Sequence, residues 1–230
     1  MARFTMTRAW LALALVAGSL GVGAQPAQRG GNPGVAPPQS NPHGMSYAEW
    51  GAAWWQWAIS FPLDESPVTD TTGDLADLGQ SGPVWFLAGT FGGSAERTVT
   101  IPAGKALFFP IVNFIGVFIP EPGEPEPSEE EFREIMDFII ASGFSLECTV
   151  DGVALEDLED YRAQTDVFGV TVPEGGLVDA GTFDFAMADG FWLMLSPLSA
   201  GEHTIHIAGS LDLFGLEVDV TYNLTVGGGN

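Results

Sequence analysis

Apolar positions in this chain follow two periods, one helical and one alternating, and each is bounded by recognisable punctuation. In residues 46–62, Tyr47, Trp50, Trp54, Trp57 and Phe61 fall on one arc at about 100° per residue, while Trp55 and Ile59 lie off it with Ala48 and Ala52. Only Glu49, Gln56 and Ser60 make a polar strip, so the predicted helix, near 47–60, is buried on several sides. Ser46 and Glu49 form a capping box, Met45 is placed to staple against Trp50, and Pro62 stops the helix. A second helix is predicted over 129–141. Phe132, Ile135, Met136 and Ile139 make its stripe, Ser128 and Glu131 repeat the capping box, and Gly143 is placed as the C-terminal cap.

Elsewhere the period is that of strands. Residues 84–88, 96–101 and 106–113 are read as an antiparallel meander, with 102–105 as the turn between the last two and Pro110 marking an edge or a bulge. Residues 145–150 run into an Asp151-Gly152 hairpin turn, followed by a short helical turn near 158–162 and a strand at 168–172. Asp189-Gly190 reads as a hairpin between 182–186 and 191–195. Strands from 201 and over 217–226 close the chain. Short strands at this spacing predict a mainly β protein with two flanking helices: an antiparallel β-sandwich, immunoglobulin-like or jelly-roll-like, in a single domain over 45–226.

Composition adds compartment and charge. Arg3 and Arg8 precede an apolar run at 9–20 and a small-residue site at Val22-Gly23-Ala24, so residues 1–24 read as an export leader and the mature chain as secreted or periplasmic. Residues 25–44 have the composition of a flexible linker, and 227–230 of a fraying tail. After the leader, no segment approaches the roughly 20 apolar residues of a membrane span. The formal net charge is −23, from 30 acidic and seven basic residues, which excludes nucleic acid and anionic membrane surfaces as partners and fits a strongly hydrated surface. Cys148, the lone cysteine, allows no internal disulfide, and its strand setting predicts a buried thiol.

Catalytic signatures are missing, and catalytic residues stay unassigned. Gly79-Gln-Ser-Gly-Pro83 breaks the nucleophile elbow at its last position, no His-Glu-x-x-His occurs, and Gly104-Lys105 lacks the upstream glycine of a phosphate loop. His203 and His206, three apart on a strand, point to opposite faces and cannot share a metal without a bulge. The long polar loop at 63–83 is the expected functional segment. Its Asp70 and Asp74 invite calcium, the one cofactor considered, but lack the alternating oxygens of an EF-hand loop, and turn capping explains them better. Arg97, Lys105, Arg133 and Arg162 are scarce cations expected to pair with carboxylates, Arg97 and Arg162 being the ones placed for a buried bridge or an anionic ligand. The candidate ligand set is Trp55, Asp70, Gln80, Arg97 and Asn113, and the expected core is Trp50, Trp54, Trp57 and Trp85.

The stretches Trp54-Trp-Gln-Trp57, Asp70-Thr-Thr-Gly73, Gln80-Ser-Gly-Pro-Val-Trp-Phe-Leu-Ala-Gly89, Pro102-Ala-Gly-Lys105, Asp189-Gly-Phe-Trp192 and Pro197-Leu-Ser-Ala-Gly-Glu-His-Thr-Ile205 together resemble a group of uncharacterised secreted bacterial proteins. The resemblance spans nearly all of the expected domain and implies export and a shared fold, with no activity attached. It also implies a cysteine pair near the positions of Ala76 and Val99, which this chain lacks. Three readings remain open at this point. The first is a non-catalytic binding or surface-associated protein whose ligand is a glycan or another extracellular molecule. The second is a hydrolase or lyase using acidic residues, with Asp64, Asp70, Gln80, Arg97 and Asn113 as its polar cluster. The third is a structural envelope or matrix protein.

Overall fold

The computed structural model describes residues 32, 34–123 and 125–227. The expected leader, the first part of the expected linker and the last three residues of the tail lie outside the described residues. Helix α1 (Tyr47–Ala58) and helix α2 (Glu129–Ala141) both start on capping boxes, at Ser46/Glu49 and Ser128/Glu131. The strands are β1 (Val84–Phe86), β2 (Gly93–Ile101), β3 (Ala106–Val117), β4 (Phe144–Val150), β5 (Val153–Ala154), β6 (Arg162–Gln164), β7 (Phe168–Val172), β8 (Gly181–Leu195), β9 (Gly201–Leu211) and β10 (Leu216–Val226). They form two five-stranded sheets, one in the order β1-β3-β8-β6 with β7 also on β8, the other in the order β2-β10-β9-β4-β5. The protein is thus mainly β with two helices, and its sheets stack as a sandwich.

The expectation of purely antiparallel pairing fails at one edge of each sheet. β1 pairs with β3 in parallel, and β2 pairs with β10 in parallel. The 102–105 turn does not close a hairpin. It carries the chain from one sheet to the other, which dissolves the expected meander. Pro110 does mark a bulge, where the register of β3 on β8 shifts between Pro110 and Val112.

A second correction concerns Asp189-Gly190, which lies inside the uninterrupted strand β8, opposite Phe114 and Asn113 of β3, and turns no hairpin. The glycine is there for close approach. A Cβ on Gly190 would stand 2.5 Å from both the Asn113 Cβ and the Val112 carbonyl oxygen. The Asp151-Gly152 hairpin is real, with φ of 52° and 76° at the two turn residues, joining β4 to β5.

Strands β3 and β8 are apolar almost throughout because the first sheet is covered twice, by the second sheet and by α1. Trp54 of α1 meets Trp192 of β8 edge-on at 5.6 Å, and Trp192 stacks on Phe108 of β3 at 5.5 Å. Four tryptophans of α1 are buried, Trp55 included, and so is Trp85. The expected core residues are therefore in the core. Trp55 joins them beside residues of β3 and Val68, Phe91, Leu177 and Leu216.

The segment before α1 is not a free linker in its described part. Val35 bridges to Leu195, the Ala36 amide donates to the Met194 carbonyl at 2.9 Å, and the Tyr47 hydroxyl donates to the Ala36 carbonyl at 2.7 Å. Residues 34–44 thus extend the packed domain. Among the described residues, no helix is long and apolar enough to cross a membrane.

Candidate functional site

Five residues formed the ligand set expected from the sequence, and the structure divides them into three places. Asp70 is a turn cap. Its carboxylate accepts the amides of Thr72, Gly73 and Leu75 at 2.8 to 2.9 Å and the Thr72 hydroxyl at 2.8 Å. Burial pushes its pKa up, but these hydrogen bonds outweigh burial and leave it below the usual value. With its lone pairs taken, Asp70 does not build the calcium site proposed for it with Asp74, and no group of three or more metal-ligating side chains occurs among the described residues.

Arg97 is fully buried, and its donors are taken up within the protein. Its guanidinium donates to the backbone carbonyls of Val68, Asp70, Ala88 and Gly89 and to the Tyr222 hydroxyl. The expected carboxylate partner is replaced by carbonyl dipoles, because the polar loop folds back over β2 and presents its backbone to the arginine. Lys105 likewise donates to the Gly82 carbonyl. Gln80 clamps the loop from the inside, accepting the Phe86 amide and donating to the Ala76 and Phe86 carbonyls, each at 2.9 Å. Asp64 sits exposed in a short helical turn. The side chains in the polar cluster of the hydrolase reading are thus engaged separately: Asp70 by its own turn, Arg97 by backbone carbonyls that include that of Asp70, and Gln80 by the loop.

Trp55 and Asn113 are brought together. Both line a cavity of about 30 Å³ with Trp54, Val68, Thr90, Phe91, Phe114, Ile115, Val117, Leu177, Val178 and Leu216. The site lies along β3 beyond Phe108, where the ladder from β1 has ended. Its walls are apolar, and the half-buried Thr90, Phe91, Leu177 and Val178 form the side toward solvent. The Trp55 indole Nε1 and the Asn113 amide Nδ2 are buried without any hydrogen-bond partner. Other indoles of the fold are satisfied: Trp50 donates to the Pro42 carbonyl, Trp54 to Leu87, Trp57 to Leu78 and Trp192 to Ala163. Trp85 Nε1 is also unpartnered, but it stands outside this cavity.

The carboxylate pairing expected for Arg133 and Arg162 is present, and the buried bridge expected of Arg162 forms with Asp189; two polar constellations were otherwise not read from the sequence. Asp189, fully buried in β8, accepts from Arg162 at 2.6 and 3.1 Å and from Gln164 at 3.1 Å. Burial raises its pKa against the pull of Arg162. Arg162 also holds Asp137 at 2.6 Å, and Arg133 holds Glu129, Asp166 and the Gln164 side chain, so this network fastens α2 to β6 and β8. A buried acid read as a turn residue carried no sequence signal. The second constellation puts Asp151 2.7 Å from His203 Nδ1 and the Ser199 hydroxyl 3.2 Å from Nε2. It has the outline of a Ser-His-Asp triad, but Nε2 lies closer, at 2.9 Å, to the Ser199 carbonyl oxygen. A carbonyl only accepts, so this contact favours a proton on Nε2 and turns the nitrogen to the backbone in place of the serine hydroxyl. His203 is a clasp between the β4–β5 turn and the loop before β9. Its opposite-facing neighbour, His206, pairs with Asp219 at 3.0 Å, as the strand alternation required.

The fold and site define a mainly β protein with a small, largely apolar cavity lined by Trp55 and Asn113. Comparison with protein-family models, with curated proteins and with solved structures gives no match for this chain.

Proposed function

We propose that the chain is an exported, acidic binding protein that holds a small ligand in the Trp55–Asn113 cavity without transforming it. One observation carries this reading: Trp55 and Asn113, on different elements and each with a buried N–H donor that has no partner, line one cavity. An unsatisfied buried donor costs about 1–3 kcal/mol, so a ligand that brings an acceptor to either one stabilises the fold. Groups with catalytic potential are engaged elsewhere, Asp189 by Arg162 and Gln164, and both His203 ring nitrogens by Asp151 and Ser199. Export rests on the leader pattern at 1–24, and the net charge of −23 speaks against a polyanionic partner.

The glycan version of this reading draws no support from the tryptophans. Sugar binding by stacking needs an exposed aromatic face, and the tryptophans at 50, 54, 55, 57, 85 and 192 are all buried. The test is a screen of small-molecule fragments against the 15N-labelled protein, following the Trp55 indole N–H and the integrity of each fragment. The expected outcome is saturable movement of that resonance with at least one fragment class and no turnover. Turnover of the bound fragment, or silence of the resonance across the whole set at millimolar concentration, would sink the proposal.

A further inference from the structure

We infer that the ligand is a neutral molecule with a carbonyl-type acceptor oxygen at one end and a hydrocarbon body, of the kind a methyl ketone represents. This rests on the binding reading above and narrows it. Both orphan groups at the cavity are donors, the indole N–H of Trp55 on α1 and the side-chain amide of Asn113 on β3. A carbonyl oxygen has two in-plane lone pairs and accepts two such bonds at once.

Charge decides against an ion. The lining residues include no Lys, Arg or His to neutralise an anion and no Asp or Glu to neutralise a cation. An ion placed there would be desolvated with no counter-charge, at a cost no pair of neutral hydrogen bonds offsets. The nearby Arg97 supplies no help, because its donors are committed to the loop carbonyls and Tyr222.

Size sets the head group. The cavity is small, about 30 Å³, which suits a compact head group such as an oxygen and the carbon that bears it. Phe114, Ile115, Val117 and Leu216 wall the inner part, and Phe91, Leu177 and Val178 line the way toward solvent, where a hydrocarbon body packs. Asn113 is fixed in place from behind, since it stands opposite Gly190, a position where even a methyl group would collide with it.

The competing occupant is a pair of trapped waters, which also accept hydrogen bonds. The experiment uses the full 15N-labelled chain, with the Trp55 Nε1–H resonance assigned from a Trp55→Phe variant and the Asn113 amide from Asn113→Ser. 2-Heptanone, heptanoate and heptylamine are titrated separately, and cross-relaxation between the Trp55 indole proton and water is recorded with and without each. Expected is a saturable downfield shift with 2-heptanone, loss of the water cross-peak, affinity at least about tenfold above that of either ion, and about tenfold weaker binding by Trp55→Phe, each tenfold being one decade in Kd. Equal or tighter binding of heptanoate or heptylamine overturns the ligand class while leaving a binding site. Undiminished ketone affinity in Trp55→Phe overturns the assigned donor. A persistent water cross-peak with no response to any of the three compounds overturns both the ligand class and the binding reading. Should Asn113→Ser unfold, the Trp55 resonance and the Trp55→Phe comparison decide the matter alone.

Discussion

Arg97 donates through Nη1 to the Tyr222 hydroxyl at 2.7 Å, and its guanidinium carbon stands 5.3 Å from the centre of the Tyr222 ring. The Tyr222 hydroxyl in turn donates to the Ala88 carbonyl at 2.8 Å, which Arg97 also reaches at 2.6 Å. β2, β10 and the two loops before β2 are thereby tied to one cation without a carboxylate. Substituting Arg97→Met removes the fork and leaves buried carbonyls without donors, so stability should fall by on the order of 3–5 kcal/mol. Arg97→Lys should recover only a minor part, because an ammonium lacks the planar array of five donors. Urea denaturation of the three proteins measures both.

The His203–Asp151 clasp makes a small pH-dependent contribution with opposite signs at its two ends. Hydrogen bonding to Asp151 raises the His203 pKa above its ordinary value. Its share of stability is therefore complete below the unfolded histidine value of about 6.5 and fades as pH rises through the higher folded value. For Asp151, burial works upward, but the hydrogen bonds from His203 and the Thr204 amide bring the pKa down. That share is present above the unfolded aspartate value of about 3.9 and is lost as pH falls through the lower folded one. Asp151→Asn suits the left-handed turn position at φ 52° and removes the charge and one of the two acceptor oxygens. Wild type should melt above this variant near pH 6, by at most about 1 kcal/mol, and the gap should close toward pH 9. A gap that widens with rising pH contradicts the assignment.

Two glycine substitutions should separate close packing from backbone preference. Gly190→Ala forces a methyl group to 2.5 Å from both Asn113 Cβ and the Val112 carbonyl, prying β3 from β8, and should cost about 1–3 kcal/mol or more. Gly51→Ala meets the Trp192 ring at 3.3 Å, a mild clash, while gaining about 1 kcal/mol of helix propensity. The second variant should melt near the wild-type temperature, and the first well below it.

Cys148 is buried in β4, and burial, aided by the neighbouring Glu147, pushes its thiol pKa up to about 12. A thiol held neutral and enclosed is a poor nucleophile. Ellman's reagent at pH 8 should leave the folded protein untouched and modify one thiol per chain in denaturant. Prompt reaction of the folded form would show that the strand opens.

Residues near one another in sequence explain most of what could be read without a structure. Ser46 with Glu49, and Ser128 with Glu131, fixed both helix starts, since a capping box is closed by groups three positions apart. The burial of Trp50, Trp54 and Trp57 followed from their shared arc, and that of Cys148 from its strand setting. Asp151-Gly152 announced a true hairpin, because both turn residues meet the positive φ such turns demand. Asp189-Gly190 carries the same dipeptide with a different cause. Its glycine answers to β3 across the sheet, and its aspartate answers to Arg162, some 27 positions away. Parallel pairing of β1 with β3 and of β2 with β10 was equally invisible, because the partner of each edge strand is chosen by how the sheets stack. Trp55 and Asn113 were each singled out by composition and position. Only the tertiary structure placed them in one cavity and left their donors without acceptors, because satisfaction of a buried polar group depends on every element packed around it.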